Sequence, residues 1–274
     1  MHRTMCRLIA YLGEPIPLHR LVLSPPHSLL VQGYAPKEMT AGLLNGDGFG
    51  LGWYDQRLRP QPFTYKNILP IWNDLNLPHL CEYVISGCVL GYVRSATPGL
   101  AVDYSNCQPF VQGVLSAVHN GRVVNFRQIL YRPLRQQLTD EDYLAIQGLT
   151  DSEHLFAWIL HHYKQTGDLR RALYDSFQSL LDLAPQVDVT FNFILSDGEQ
   201  LLASRLAHGS PAPSLYYLTG HPDYPGVVIA SEPLFTDERW VACPPGSVLQ
   251  VTATGQVQVW TGSAAGVPVP VAGR

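Results

Sequence analysis

The sequence has little charge and no long apolar run. Charged side chains make up 15% of its 274 residues, and the net charge is −4. This balance offers no basic surface to nucleic acid or to an anionic membrane. No apolar stretch approaches the roughly 20 residues of a membrane-spanning helix, and Arg7 interrupts the first one, which argues against a signal peptide. We therefore expect a cytoplasmic globular protein with no nucleic-acid or membrane partner, and the sequence leaves its oligomeric state open.

Cysteine is also scarce. The five cysteines are odd in number and form no C-x-x-C pair, which argues against both a disulfide framework and a zinc site. Three histidines of the central region, His154, His161 and His162, lie on a predicted helix without matching carboxylate ligands. We therefore expect no metal ion.

Glycine alternates with other residues in "NGDGFGLGWY", residues 45–54. A phosphate-binding loop would need a helix after it, and a P-loop would also need a Lys-Ser/Thr pair. Here a strand is predicted to follow and that pair is missing, so we expect no nucleotide cofactor and no other cofactor. The period of two instead predicts a strand with one bare face, which another backbone or a ligand can approach closely.

The order of the predicted elements indicates an α+β domain. Strands are expected at residues 7–12, 50–54, 62–65, 88–94, 114–119, 216–218, 227–230, 247–252 and 256–260, with a hairpin around 197–198. A helix is predicted to begin at Thr150 or Asp151 and to end at Gly167, and a second helix covers 169–183. Helices segregated between runs of strands favour a layered α+β fold over a parallel α/β sheet.

Cys6 follows a second methionine, Met5, and this raises two alternatives. Cysteine is among the residues most often buried, so Cys6 could simply belong to a first core strand. If Met5 is the true start, removal of that methionine would leave Cys6 with a thiol and a free α-amine on one residue. A thiol beside its own base is an activated nucleophile.

Three later stretches also have two interpretations each. Arg94 ends an apolar strand, and a buried arginine needs an anion, either a substrate carboxylate or an acid of the chain itself. Asn120-Gly121 is a common hairpin signal, but an Asn amide and a Gly N–H can also form an oxyanion hole. Asp151 is a candidate helix N-cap, or its carboxylate binds an ammonium group. His119 is interpreted as structural.

Taken in order, these residues resemble the class II, N-terminal-nucleophile glutamine amidotransferases. The matching positions are Cys6, Arg94 with Thr97, Asn120-Gly121 and Asp151. The stretches "MCRLIAYLGEPIPLHRLVLSPPHSLLVQGYAP", "GLLNGDGFGLGWYD", "VRSATPG", "HNGRV" and "ASEPL" are similar to one branch of this family. That branch removes γ-glutamate from γ-glutamyl-hercynylcysteine S-oxide in ergothioneine biosynthesis. The resemblance runs from Met5 to about Leu249.

The resemblance implies a fold, a reaction and a site. The fold would be the four-layer αββα sandwich of the N-terminal-nucleophile hydrolases. Cys6 would attack a γ-glutamyl amide and form a thioester, and Asn120 and Gly121 would stabilise the oxyanion. Arg94, Thr97 and Asp151 would bind the γ-glutamyl head group. Residues 1–5 would be a non-native start or a short propeptide, 6–261 a single domain and 262–274 a loose tail.

The leaving group is less defined by these motifs. In the resembled branch it carries a trimethylammonium group, which an aromatic surface would suit. Trp53, Trp72 and Tyr92 lie near the motifs in sequence, although aromatic residues at such positions can equally belong to the core. Two alternatives remain: a glutaminase-like enzyme with another γ-glutamyl substrate, or a non-catalytic γ-glutamyl-binding protein if Cys6 is not N-terminal.

Overall fold

A computed structural model describes residues 6–38, 44–96, 102–262 and 269–271. The strands are β1 Arg7–Pro17, β2 Phe49–Asp55, β3 Arg59–Asn67, β4 Ile85–Val93, β5 Phe110–Gln112, β6 Leu115–Val123, β7 Val189–Ser196, β8 Leu201–His208, β9 Tyr216–His221, β10 Tyr224–Ala230, β11 Trp240–Ala242, β12 Ser247–Val251, β13 Val257–Thr261 and β14 Val269–Val271. The helices are α1 His19–Val22, α2 Leu29–Tyr34, α3 Leu77–Tyr83, α4 Phe126–Ile129, α5 Tyr131–Gln137, α6 Asp140–Leu144, α7 Asp151–Thr166 and α8 Leu169–Leu183. Short 3₁₀ turns cover Ile71–Asn73 and Tyr104–Asn106.

The strands form two antiparallel sheets of seven. The first sheet has the order β11-β9-β10-β1-β4-β2-β3, and the second has the order β14-β13-β12-β8-β7-β6-β5. In the first sheet β1 lies between β10 and β4, with Arg7 opposite Val93. In the second sheet β6 pairs with β7 along its whole length. The first residues of β1 are therefore held on both sides by neighbouring strands.

Alternation along β1 shows how the layers are built. Leu8 and Ala10 belong to the core between the two sheets, whereas Ile9 and Tyr11 belong to a second core under helices α1 to α3. Successive strand residues point to opposite faces, so one apolar strand contributes to both cores. Burying each leucine or isoleucine fully contributes roughly 1.5–3 kcal/mol before entropy is counted.

A third core lies on the outer face of the second sheet. It includes Leu155, Ile159 and Leu173, which lie on α7 and α8 and pack against the sheet. The layers are thus helices, sheet, sheet and helices. The structure confirms the predicted α+β fold with the αββα arrangement.

The alternating glycines of β2 allow another backbone to approach. A Cβ added at Gly50 would collide with the carbonyl oxygen of Gln108, and one added at Gly52 would lie 2.9 Å from the ring of Pro109. Leu51, between them, faces the opposite core. The prediction of a bare strand face is confirmed, and the neighbour is the Gln108-Pro109 backbone.

The helical pair follows its sequence signals closely. Helix α7 ends at Gly167, whose φ of 66° is left-handed and suits glycine. Helix α8 spans Leu169–Leu183, the predicted range. Residues 269–271, within the range predicted as a tail, form β14, which pairs with β13 at the edge of the second sheet. An edge strand tolerates the proline that it contains.

Candidate active site

Cys6 lies immediately before β1, at one end of the sandwich. The residue is 9% exposed and belongs to the core between the sheets. Its Sγ lies 3.0 Å from the Tyr92 hydroxyl, and the Ser95 backbone N–H donates to the same sulfur at 3.4 Å. Burial raises the pKa of the Cys6 thiol, while the Tyr92 and Ser95 hydrogen bonds and the charge of Arg94 act in the opposite direction. A base is therefore needed to form the thiolate near neutral pH.

Arg94 follows β4, where the strand register brings it next to Cys6. The residue is 3% exposed. Its Nη1 donates to the Asp47 carbonyl oxygen at 3.3 Å, but the Asp47 carboxylate accepts from the Ala96 backbone instead. No carboxylate in the described ranges pairs with the Arg94 guanidinium, so the alternative of an internal ion pair has no support there. Its positive charge can meet an anionic ligand.

Asn120 and Gly121 lie inside β6, so the predicted turn at these residues is wrong. The strand continues to Val123, with Asn120 opposite Asn192 on β7. A Cβ at Gly121 would collide with the Thr190 carbonyl oxygen, so this glycine serves a close strand approach. Pairing with β7 has overridden the local turn preference.

The Asn120 side chain is buried without a protein partner. Asn120 is 0% exposed, and neither its Nδ2 nor its Oδ1 forms a hydrogen bond within the described part of the chain. It lies two residues beyond Val118, which shares the inter-sheet core with Cys6. Residues two apart on a strand face the same side, so the Asn120 amide points toward the layer that contains Cys6.

Asp151 is the first residue of α7 but does not cap it. The cap is Thr150, whose hydroxyl accepts from the Glu153 backbone N–H at 3.2 Å. The Asp151 carboxylate instead accepts from the backbone N–H of Val123 at 2.7 Å and of Ser152 at 2.9 Å. Burial raises the pKa of this carboxyl, and the two backbone hydrogen bonds oppose that shift. The Asp151 carboxylate is therefore held against Val123, the last residue of β6, which lies three residues after Asn120 in the sequence.

The three predicted aromatic residues lie in different places. Tyr92 contacts the Cys6 thiol. Trp72 makes an edge-to-face contact with Tyr34 at 5.9 Å between ring centroids. Trp53 stacks on Phe63 and packs with the outer core of the first sheet, on the face that points away from Cys6.

Thr97 lies outside the described residues. His119 is structural, as expected: its Nδ1 lies 2.9 Å from the Ser152 hydroxyl, its ring stacks on Phe193, and burial lowers its pKa to about 3.

Two charged residues that were not predicted from the sequence, Arg7 and Glu232, are linked to Cys6. Arg7 contacts the Cys6 carbonyl oxygen and Glu232, and both side chains are buried. The available signal was "ASEPL", which contributed to the family resemblance without a role for its glutamate.

No helix among the described ranges is long and apolar enough to cross a membrane. Those ranges also contain no cluster of three or more His, Cys, Asp or Glu side chains suited to a metal ion.

A four-layer sandwich with a cysteine at the start of a central strand is the architecture expected of an N-terminal-nucleophile hydrolase. A family model described as class-II glutamine amidotransferases matches residues 26–225. The chain belongs to the class II glutamine amidotransferases. It is an enzyme of the amidohydrolase type.

Individual relatives carry different names. The chain is 31% identical to the gamma-glutamyl-hercynylcysteine sulfoxide hydrolase of Mycobacterium tuberculosis, over 92% of this chain and 94% of that protein. It is 32% identical to the probable glutamine amidotransferase DUG3 of Saccharomyces cerevisiae, over 90% and 82%. Among solved structures, a glutamine aminotransferase class-II domain protein from Silicibacter pomeroyi matches with a TM-score of 0.64 and 28% identity, over 93% and 98% of the two chains.

Proposed function

We propose that the chain hydrolyses a γ-glutamyl amide, with Cys6 as an N-terminal nucleophile and a γ-glutamyl thioester as the intermediate. The preferred substrate is γ-glutamyl-hercynylcysteine S-oxide, which would give hercynylcysteine S-oxide and glutamate. The names of the mycobacterial relatives, at 31–32% identity over at least 90% of this chain, support this choice. The pathway would then be ergothioneine biosynthesis, in the cytoplasm.

The main support for this proposal is the incomplete pairing of two buried side chains. Two buried polar side chains are incompletely paired in the described ranges: Arg94, beside Cys6 in the strand register, has one carbonyl hydrogen bond but no carboxylate, and Asn120, on the strand face toward the layer of Cys6, has no hydrogen bond. Buried polar groups without partners are rare in folded proteins, and each calls for an explanation. A bound γ-glutamyl group, anionic at one end and carrying an amide carbonyl at the other, would supply both partners.

The reaction begins with transfer of the thiol proton. An α-amine on Cys6, with an ordinary pKa of about 7.7–8.0, would accept that proton directly or through one water. The sulfur then attacks the γ-carbonyl carbon, and the carbonyl oxygen gains negative charge between the Asn120 amide and the Gly121 N–H. The same amine returns the proton to the leaving nitrogen, so the C–N bond breaks as the thioester remains.

Hydrolysis of the thioester uses the same groups in reverse. The α-amine removes a proton from water, the hydroxide attacks the thioester carbonyl, and glutamate leaves as the thiol is restored. Arg94 would hold the substrate α-carboxylate through two parallel hydrogen bonds, and Thr97 is proposed to contribute to the same head-group binding. Asp151 would accept from the α-ammonium with the lone pairs that Val123 and Ser152 leave free. These contacts select the γ-glutamyl side of the substrate.

The amine side of the substrate has a second candidate. The yeast relative is as similar to this chain as the mycobacterial ones and is named for glutamine amidotransfer. A glutaminase-like enzyme acting on another γ-glutamyl amide fits the same head-group contacts. Tyr92, which contacts the Cys6 thiol, is the aromatic candidate for the leaving-group side, whereas Trp53 and Trp72 both pack against the outer core of the first sheet, which argues against them.

The first experiment is an intact mass and an N-terminal sequence of the protein produced from its own start region. A mature chain that begins at Cys6 supports the amine-assisted mechanism. A chain that keeps residues 1–5 has no α-amine on Cys6. If that chain is also inactive, it favours the alternative of a non-catalytic γ-glutamyl-binding protein.

The second experiment compares substrates. We expect glutamate release from γ-glutamyl-hercynylcysteine S-oxide with a kcat/KM at least about tenfold above that for glutamine, a difference of about 1.4 kcal/mol in transition-state binding. Equal values, or a preference for glutamine, would favour the glutaminase-like alternative. Release from neither compound would contradict the hydrolase proposal.

A further inference from the structure

A buried ion pair is hydrogen-bonded to the backbone of Cys6 and has no part in the chemistry proposed above. Arg7 and Glu232 are 0% and 1% exposed, and Arg7 Nε lies 2.6 Å from Glu232 Oε1. Arg7 also uses its Nη1 to donate a 2.8 Å hydrogen bond to the carbonyl oxygen of Cys6. One guanidinium therefore links a buried carboxylate to the backbone of the proposed nucleophile.

This ion pair continues the register of β1 and β10 beyond their last ladder pair. Leu8 donates its backbone N–H to the Ser231 hydroxyl at 2.9 Å, and the Ser231 N–H donates to the Leu8 carbonyl at 3.0 Å. The same register places Arg7 opposite Glu232. Directly opposite residues in antiparallel strands are close neighbours, so side chains maintain the pairing where the backbone ladder stops.

Glu232 joins Arg7 to two other parts of the chain. Its oxygens accept from the backbone N–H of Lys37 at 2.8 Å and of Glu38 at 2.9 Å, and His27 Nε2 lies 2.6 Å away. Burial alone would raise the pKa of Glu232, but the His27 hydrogen bond and the Arg7 charge bring it down to about 2. The carboxylate is therefore ionised at neutral pH and anchored on several sides.

We propose that Arg7 is a positioning residue that fixes the directions of the Cys6 thiol and α-amine, and that Glu232 holds Arg7 in place. This inference rests on the proposed function, in which Cys6 is the first residue. A first residue has no preceding peptide unit, so rotation about its Cα–C bond decides where both functional groups point. The Arg7 hydrogen bond holds the Cys6 carbonyl group, and with it the position of the Cα from which the thiol and the amine project, while the contacts of the sulfur with Tyr92 and Ser95 select one rotation about the Cα–C bond.

Arginine suits this task better than lysine. Its planar fork directs Nε to Glu232 and Nη1 to the Cys6 carbonyl in a fixed relative orientation, which a single ammonium group does not reproduce. Arg7→Lys keeps the charge and loses the fork. Misplacing a reacting group by about 1 Å can cost roughly 100-fold in rate, so we expect kcat to fall about 10- to 100-fold with KM within about threefold of the wild type.

A graded series separates positioning from general stabilisation. Glu232→Gln should lower kcat as Arg7→Lys does, because Arg7 loses its charged partner. His27→Gln should lower kcat less, because His27 contacts only the far oxygen of Glu232. Tyr65→Phe is the matched control, since it removes a 2.7 Å hydrogen bond to Asp74 that lies outside the site. Its kcat should equal that of the wild type whatever its Tm.

Each variant is measured for kcat, KM and Tm, and for the rate at which iodoacetamide alkylates Cys6, read from the mass of the Cys6 peptide. We expect Arg7→Lys to change the alkylation rate at least about threefold, because the thiol direction changes. If Glu232→Gln does not fold, Arg7→Lys and His27→Gln still decide. Arg7→Lys with wild-type kcat and wild-type alkylation, or a loss of kcat in Tyr65→Phe as large as that in Arg7→Lys at the same fall in Tm, overturns the proposal.

Failure of the positioning role is distinct from failure of the hydrolase proposal. A wild type that hydrolyses the γ-glutamyl substrate while Arg7→Lys matches it removes only the positioning role. A wild type without hydrolase activity removes the proposed function. In that case the alkylation rates alone judge the link from Arg7 to Cys6, and equal rates in the two proteins overturn it.

Discussion

The space between the two sheets contains two polar clusters with opposite character. Around Tyr54, the hydroxyl lies 2.9 Å from the Val114 carbonyl oxygen and 2.8 Å from both the Ser116 hydroxyl and the Ser196 carbonyl oxygen. We call this the closed cluster. Around Cys6, Arg94 lacks a carboxylate and Asn120 lacks any hydrogen bond within the described ranges. We call this the open cluster.

The difference separates groups that stabilise the fold from groups prepared for a ligand. A satisfied buried network contributes to stability, whereas an unsatisfied buried polar atom costs roughly 1–3 kcal/mol. The unpaired groups of the open cluster therefore lower the stability of the folded chain. This is expected where a bound ligand supplies the missing partners. Substitutions in the open cluster should cost activity, and substitutions in the closed cluster should cost stability.

The largest expected effect is the loss of the proposed nucleophile, Cys6. Cys6→Ala should reduce glutamate release by at least roughly 10⁴-fold, because the covalent step has no other thiol in the open cluster. Cys88→Ala is the matched control: Cys88 is also buried in the same core, but its Sγ lies 3.1 Å from the hydroxyl of Ser196, a residue of the closed cluster. Comparable activity losses in the two variants would contradict the assignment of Cys6.

The second effect concerns the oxyanion. Asn120→Ala should lower kcat by roughly 10²- to 10³-fold, the usual cost of one oxyanion-hole donor. Because both amide atoms already lack partners, the free energy of unfolding should change far less than for a buried hydrogen-bonded asparagine. Parallel activity assays and urea unfolding test this. A large loss of stability with little loss of kcat would make Asn120 structural.

The closed cluster should behave in the opposite way. Tyr54→Phe removes the single hydroxyl hydrogen that the carbonyls of Val114 and Ser196 share and should lower the free energy of unfolding by about 1–3 kcal/mol. The kcat/KM should remain within about twofold of the wild type, since no atom of this cluster lies in the open one. Thermal unfolding and steady-state kinetics on the same sample make the comparison. A tenfold fall in kcat/KM would show that the two clusters are coupled.

The elements that the sequence predicted well are those fixed by local signals. Helix α8 matched its predicted range and α7 ended at Gly167, because capping residues and periodicity act within a few positions. The turn expected at Asn120-Gly121 was wrong, because pairing with β7 outweighs a two-residue preference. Tertiary contacts of this kind are not visible in a local window.

The residues of the candidate site also differ in whether the sequence alone could identify them. Cys6, Arg94, Asn120 and Asp151 could be selected because each has a distinctive chemical type in a recognisable order. The Arg7–Glu232 ion pair could not, because its members lie 225 residues apart and neither stands in a motif with a known role. Only the β1–β10 register shows that the two residues face each other.

The smallest expected effects concern two adjacent residues of α7. Thr150→Ala removes the N-cap and should cost about 1 kcal/mol of stability with little change in KM, because its hydroxyl serves only the Glu153 N–H in this region. Asp151→Asn keeps the shape and one acceptor, so its stability should change little. Its KM should rise about 10-fold for γ-glutamyl substrates, because the side chain proposed to pair with the substrate ammonium group loses its negative charge.

A comparison of Thr150→Ala with Asp151→Asn tests whether a group that stabilises the fold and a group that binds the substrate can be distinguished within a single helical turn. A substrate analogue in which hydrogen replaces the α-ammonium group should remove the difference in KM between Asp151→Asn and the wild type. A difference that persists would mean that Asp151 acts through its hydrogen bonds to Val123 and Ser152 instead. Asp151 would then be a residue that ties the end of β6 to the start of α7 and would have no part in binding the substrate ammonium group.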